Sequence, residues 1–370
     1  MSSMLKGAWS WKLLLALVIS SVALTATVLA VDQVEPQTCL KGLDPVALAQ
    51  GQERAGDKSV SITRGRFRYL FADAANKAAF EMDPDRYAVQ FGGCCGRMGS
   101  LAGFGHPDRF LVHDGRIYLF ASDQCQAGFQ AAPDKHLERD DQPPTGSDAE
   151  VLRGRELVVQ ALAGFGGADK VDKIKTLEFI RHQPYKSGGE DKLEVIATKV
   201  LLPDRFRLDD SWHGGSFTDM VLNKAGYRIG SDGFSAMENS VRREFLKDFR
   251  RHALILIASR GEAGFRAVAA GRGKVGDQDV EWLQVGLGGA TSTLGIQATT
   301  GRVLSLKFRG RAPAAMGDVT RTYSDFREVD GLVVPFAVAT SIDDKPAGNP
   351  RTYHSVIINK KFDDTVFAAP

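Results

Sequence analysis

The tetrapeptide Tyr69-Leu70-Phe71-Ala72 returns 49 residues later as Tyr118-Leu119-Phe120-Ala121, and the match continues from Phe80 to Phe129 and from Pro84-Asp85 to Pro133-Asp134. A spacing held across three landmarks means one structural unit used twice. Each copy has a β-rich run, at 67–71 or 117–120, preceded by a turn signal at Gly65 or Asp114-Gly115. A helical stretch follows, about 74–82 or 123–131, and the next proline ends it because proline has no N–H to continue the ladder. The unit is therefore strand-turn-helix. Two copies are too few for an open stack, so they should close on each other as one compact body.

Upstream of the repeat, residues 1–30 read as an address rather than as fold. Lys6 and Lys12 are the only charges, 13–30 carries none, and Val28-Leu29-Ala30 offers the small and apolar residues of a cleavage site. That is the pattern of a secretory signal peptide. Cleavage after Ala30 gives a periplasmic or secreted protein. Retention of the segment gives a membrane-anchored one, since eighteen residues meet the lower limit of ~17–25 for a bilayer span.

Downstream, Asp140-Asp141-Gln142-Pro143-Pro144-Thr145-Gly146-Ser147 reads as a linker. The expected organisation is a signal at 1–30, a repeat-bearing domain at 31–140, a linker at 141–149 and a larger domain at 150–370. The larger domain opens with a helix near 149–162. Strand signals then dominate, at 176–182, 193–202, 205–210, 226–229, 233–236, 265–270, 280–287, 294–298, 303–308, 319–328, 332–341 and 351–359. A charged amphipathic stretch at 238–259 interrupts them as one or two helices. Thr300-Gly301 and Asp330-Gly331 are hairpin turns. The fold class is α+β: a small strand-turn-helix domain, then a curved antiparallel sheet forming an incomplete barrel with helices inserted.

The chain has 47 Lys+Arg and 45 Asp+Glu, a near-balance that argues against a nucleic-acid partner. Gly271-Arg272-Gly273-Lys274-Val275-Gly276 has dinucleotide-loop spacing, but strand residues follow it where such a loop needs a helix, so it reads as a hairpin. Asp209-Asp210-Ser211-Trp212-His213 puts nucleophile, base and acid in one run, yet neighbours on a strand face opposite ways. Arg242-Arg243, Lys247 and Arg250-Arg251 line one helical stretch with Phe245 and Phe249, as a solvated face over a packed apolar one or as a face for a membrane surface or an anionic ligand. No catalytic motif emerges, and the expectation is a protein that is not an enzyme.

The densest chemistry is Gly92-Gly93-Cys94-Cys95-Gly96, with Cys125 at the start of the second helix and His106 and His113 between. Two readings stay open. Cys94, Cys95 and Cys125 are metal ligands, thiolate and imidazole suiting zinc or copper(I); or they form disulfides, Cys39 included, as an oxidising compartment favours. A Cys94–Cys95 bridge is disfavoured because adjacent Cα atoms lie only ~3.8 Å apart.

Leu43-Asp44-Pro45-Val46-Ala47-Leu48, Tyr69-Leu70-Phe71-Ala72, Asn76, Phe80, Pro84-Asp85-Arg86-Tyr87 and Phe91-Gly92-Gly93-Cys94 together resemble the YHS domain, with a partial second copy reaching 137. That resemblance implies a small α+β module related to metal-binding cysteine modules. Here Cys94-Cys95 stands where a single Cys or aromatic often follows the glycines. Residues 150–370 resemble the LolA-like lipoprotein-carrier fold. The resemblance is carried by Gly166-Gly167-Ala168, Leu202-Pro203-Asp204-Arg205-Phe206-Arg207, Tyr323-Ser324-Asp325-Phe326-Arg327, Asp330-Gly331-Leu332-Val333-Val334-Pro335-Phe336 and the closing Phe362-Asp363-Asp364. It implies an incomplete barrel holding the acyl chain of a lipid or lipoprotein. Strands 294–298, 303–308 and 332–341 would line the cavity, and 238–259 would cover or plug it. The alternative is a redox- or metal-responsive scaffold that binds another envelope protein.

Overall fold

The computed structural model describes residues 32–138, 142–312 and 315–370. The expected signal segment and the Asp140-Asp141 part of the linker lie outside the described residues.

Strand β1 (Gln37–Thr38) and helix α1 (Pro45–Ala49) lead into the first repeat unit: hairpin β2–β3 (Asp57–Arg64, Phe67–Phe71), then α2 (Ala74–Met82) and α3 (Pro84–Tyr87). The second unit is hairpin β4–β5 (His106–His113, Arg116–Phe120), α4 (Asp123–Ala131) and α5 (Pro133–Leu137). Both hairpin strands and the first helix begin and end 49 residues after their counterparts. The irregularities repeat as well. The β2–β3 register slips between Asp57 and Ser61, and the β4–β5 register between His106 and Phe110. Asp73 caps α2 through the Asn76 N–H, and Ser122 caps α4 through the Cys125 N–H. Each helix sends one phenylalanine, Phe80 or Phe129, into the core.

The duplication also extends upstream of the tetrapeptide, at a spacing of 51. Leu40-Lys41-Gly42 and Phe91-Gly92-Gly93 are matching left-handed turns, with φ of 60°, 55° and 75° in the first and 57°, 60° and 83° in the second. Gly93 has a further reason to be glycine: a Cβ there would fall 2.2 Å from the Phe67 ring.

Beyond α6 (Asp148–Gly164) and α7 (Ala168–Val171) lies one large sheet. Its first half runs β6 (Thr176–Ser187), β7 (Glu190–Leu201), β8 (Arg205–Trp212), β9 (Gly215–Leu222), β10 (Ala225–Gly230) and β11 (Gly233–Ala236). Helices α8 (Asn239–Arg250) and α9 (Ala253–Ala258) intervene. Its second half runs β12 (Arg266–Val275), β13 (Gln278–Leu287), β14 (Ala290–Gln297), β15 (Val303–Ala312), β16 (Ala315–Val329), β17 (Leu332–Ile342) and β18 (Lys345–Pro346), and β19 (Arg351–Ile358) ends the series. Among the described residues this is a fourteen-stranded antiparallel sheet, curved but not closed, with β11 and β12 at its edges and β19 between β6 and β17. Several of the hairpins turn on Gly-containing segments that supply positive φ, as at Asp330-Gly331 with φ of 50° and 77°. The glycine-rich run 271–276 is such a hairpin, with Val275 opposite Gln278.

Helix α6 starts from a full capping box, Ser147 with Glu150. It lies so close to the sheet that a Cβ on Gly164 would sit 2.1 Å from the Gly301 carbonyl oxygen. The repeat units abut the sheet directly. Gln33 bridges Phe234, Arg64 pairs with Glu238 at 2.8 Å, and Lys135 pairs with Asp343 at 3.0 Å. No helix among the described residues is long and apolar enough to cross a membrane.

Candidate functional site: an apolar plug, a cationic cleft and a cysteine pair

Helix α9 reads Ala-Leu-Ile-Leu-Ile-Ala, apolar at every position, because it is surrounded on all sides. Its Leu254, Ile255, Leu256 and Ile257 are at most 4% exposed. They belong to one contiguous core with Leu294, Ile296, Leu306, Phe308 and Val334 of the sheet. These are side chains from the strands expected to line an open cavity. In the structure they are packed in the same core as α9, so that face of the sheet is plugged rather than open. Helix α8 contributes Val241 and Phe245 to the same core, and its Phe249 stacks on Phe206 at 4.9 Å. The basic residues of α8 are largely engaged: Lys247 with Glu244, Arg250 with Glu262, Arg242 with the Asn223 carbonyl. At the start of α9, His252 packs 4.5 Å from the Phe179 ring with its Nδ1 buried and unpartnered. Burial, with Arg321 nearby, pushes its pKa down to about 3, so it is neutral at ordinary pH.

A cleft of about 470 Å³ opens where the repeat units meet β9 and β10. Leu101, Phe104 and Phe217 give it apolar walls; Arg66, Arg228 and Arg311 give it charge. Arg66 stacks on Phe104 at 4.1 Å and pairs with Asp232. Arg228 pairs with Asp219 at 2.9 Å and donates to the Ala102 carbonyl at 3.1 Å. Arg311 differs, since its buried Nε has no hydrogen-bond partner. Burial pulls the Arg311 pKa below its ordinary value. Nothing local in the sequence marks this cleft, because its arginines come from the β2–β3 turn, β10 and β15, far apart in the chain.

The cysteines separate into three environments. Cys39 donates to the Arg68 carbonyl, and burial pushes its thiol up to about 12. Cys94 donates to the Ser100 carbonyl at 3.3 Å and lies 3.2 Å from an Arg228 guanidinium nitrogen; burial raises its thiol. Cys95, next along an extended backbone, turns the other way and meets Cys125. The three expected ligands thus do not converge, and among the described residues no group of three or more His, Cys, Asp or Glu is placed to hold a metal. All four cysteines are unbonded.

No known family profile and no curated protein matches this sequence. Some solved structures align with part of it. A DUF1329 family protein from Desulfovibrio piger aligns at 10% identity and a TM-score of 0.42, over 59% of this chain and 97% of its own. A domain assigned to outer-membrane lipoprotein sorting from Vibrio parahaemolyticus aligns at 12% identity and a TM-score of 0.39, over 59% and 97%. A LolA superfamily protein from Nitrosomonas europaea aligns at 12% and a TM-score of 0.37, over 58% and 97%. At these values none of the likenesses bears on what this chain binds.

Proposed function

We propose that this is an exported, non-enzymatic binding protein that receives the acyl chain of a lipid or lipoprotein where α9 now sits. The observation that supports it is the composition of α9, which offers its surroundings apolar surface and no polar side chain. At ~1.5–3 kcal/mol per buried large aliphatic side chain, its four central residues are worth about 6–12 kcal/mol. An acyl chain of roughly fourteen methylenes, at ~0.8 kcal/mol each, is worth about 11 kcal/mol. The exchange of plug for chain is therefore close to balanced, as reversible loading requires.

The test uses the full exported chain, cleared of endogenous lipid and shown folded by circular dichroism, titrated with a fluorescent fatty acid. Saturable binding with faster amide exchange in α9 is expected. Absence of binding, or binding with α9 exchange unchanged, removes the proposal. Export is tested separately by N-terminal sequencing, which should start at Val31 or within a few residues.

A second reading rests on Arg311: a guanidinium whose buried Nε lacks a hydrogen-bond partner, in a cleft with apolar walls, suits a small organic anion. Arg311→Met would then abolish binding of an aryl carboxylate without lowering stability, whereas equal affinity in both proteins would discard that reading.

A further inference from the structure

The duplication supplies an internal comparison for the cysteine pair. In the first unit the Gly56 N–H donates to the Gly42 carbonyl at 2.9 Å and the Asp44 N–H to the Arg54 carbonyl at 2.9 Å. In the second, the Gly105 N–H donates to the Gly93 carbonyl at 2.8 Å and the Cys95 N–H to the Gly103 carbonyl at 3.0 Å. The two ladders superpose donor for donor, so Cys95 stands where Asp44 stands. Asp44 is a fully buried carboxylate that accepts from the N–H groups of Val46, Ala47 and Ala72 and from the Asn76 side chain. Its side-chain partner Asn76 corresponds, 49 residues on, to Cys125. The backbone donors are retained: the Arg97 and Ala121 N–H groups, counterparts of Val46 and Ala72, act on the Cys95 sulfur. A cradle that holds an anion in one unit holds a thiol in the other, and the amide beside it has become a second thiol.

We propose that Cys125 and Cys95 form a thiol–disulfide exchange site acting on an organic disulfide. Cys125 is the attacking group. It is partly exposed, in the first turn of α4, and the Ser122 cap bonds its backbone N–H. Partial burial raises its thiol, but the Ser122 hydroxyl, the Cys95 thiol and the Arg97 guanidinium outweigh that and bring it below the ordinary range. Its thiolate attacks one sulfur of R–S–S–R. That bond breaks, one RS⁻ leaves and takes up a proton, and Cys125–S–S–R forms. Cys95 then loses its proton and attacks the Cys125 sulfur. The second RS⁻ leaves and is protonated, and the Cys95–Cys125 disulfide remains. Two electrons pass from the protein dithiol to the substrate, which becomes two thiols. Burial raises the Cys95 thiol, and its two backbone N–H partners oppose that, as suits a resolving group sheltered from solvent until it is needed. Cys94 and Cys39 stay outside the reaction, held by Ser100 and Arg68.

The test takes the reduced full chain, times iodoacetamide labelling of each cysteine, then adds oxidised glutathione and maps bonds by tandem mass spectrometry. Cys125, partly exposed, should label at least about tenfold faster than buried Cys39. Oxidised glutathione should give a Cys95–Cys125 bond with release of two equivalents of glutathione. Cys95→Ser should stop at the Cys125–glutathione adduct, and Cys125→Ser should leave Cys95 unmodified. Linkage through Cys94 or Cys39, a lasting glutathione adduct in the unmutated chain, or labelling of Cys125 no faster than Cys39 would overturn the proposal.

Discussion

Removing the Asp44 carboxylate should be among the costliest single changes in the repeat-bearing part of the chain. One oxygen caps α1, accepting from the Val46 N–H at 2.8 Å and the Ala47 N–H at 3.1 Å. The other accepts from the Ala72 N–H at 2.7 Å and the Asn76 amide at 2.8 Å. Losing a cap costs ~1–2 kcal/mol. Each further hydrogen bond to a charged, buried acceptor is worth ~1.5–3 kcal/mol. Asp44→Ala should therefore cost about 4–8 kcal/mol, a large share of the ~5–15 kcal/mol that holds a typical protein folded. Asp44→Asn keeps one oxygen to cap α1 but turns an NH₂ toward the Ala72 and Asn76 donors, so about half that loss is expected. The assay is urea titration of the full chain, with hydrogen exchange at Ala47 and Ala72 to localise the damage. An Asp44→Asn midpoint equal to that of the unmutated protein would refute the reasoning, because the second oxygen would then be doing nothing.

His252 makes stability depend on pH. Its folded pKa of about 3 lies below the unfolded value near 6.5, so the unfolded chain binds the extra proton. Its stabilising contribution is complete above pH 6.5 and falls away toward pH 3, by about 1.4 kcal/mol per pH unit; His252→Phe, read by urea midpoints at pH 7 and pH 5, should flatten that slope. Gly164→Ala would drive a Cβ to within 2.1 Å of the Gly301 carbonyl oxygen and should cost about 1–3 kcal/mol in thermal unfolding. Gly261→Ala, with nothing within 4 Å of its added Cβ, should leave the thermal transition in place.

The α+β class and most sheet strands were legible because hairpin turns and alternating apolar residues are local signals, as at Thr300-Gly301 and Asp330-Gly331. Strand β9 was not. It begins Gly215-Ser216 and carries Asp219, whose pairing with Arg228 of β10 makes a charge acceptable in a buried row. Strands β2 and β4 were missed for another reason: a register slip breaks their alternation at the same place in each. The cysteines drew notice as a group, but sequence could not separate Cys94 from Cys95, whose backbone directions send one to Arg228 and the other to Cys125. The equivalence of Asp44 and Cys95 was hidden twice over, by the change of spacing from 49 to 51 and by the change of chemistry. Arg311 could not be singled out at all, since the missing partner of its Nε is a property of the folded neighbourhood.

The seam at β19 gives the large sheet an uneven stiffness. Strands β6 and β7 are paired along all twelve residues, and β16 and β17 at ten positions, whereas β17 and β19 meet only at Ala337–Thr352 and Val338–Arg351. A plate that is rigid except along one line flexes along that line. The two leaves can change their mutual angle for the cost of a few backbone hydrogen bonds, ~0.5–1.5 kcal/mol each, with every hairpin on either side intact. Arg351 sits at this crease with Arg181 and Arg321 nearby; burial, then these two like charges, pulls its pKa down to about 10. Arg351 and Arg181 belong to one leaf and Arg321 to the other, so the crease gathers partly buried cationic side chains from both sides of the line along which the sheet can bend.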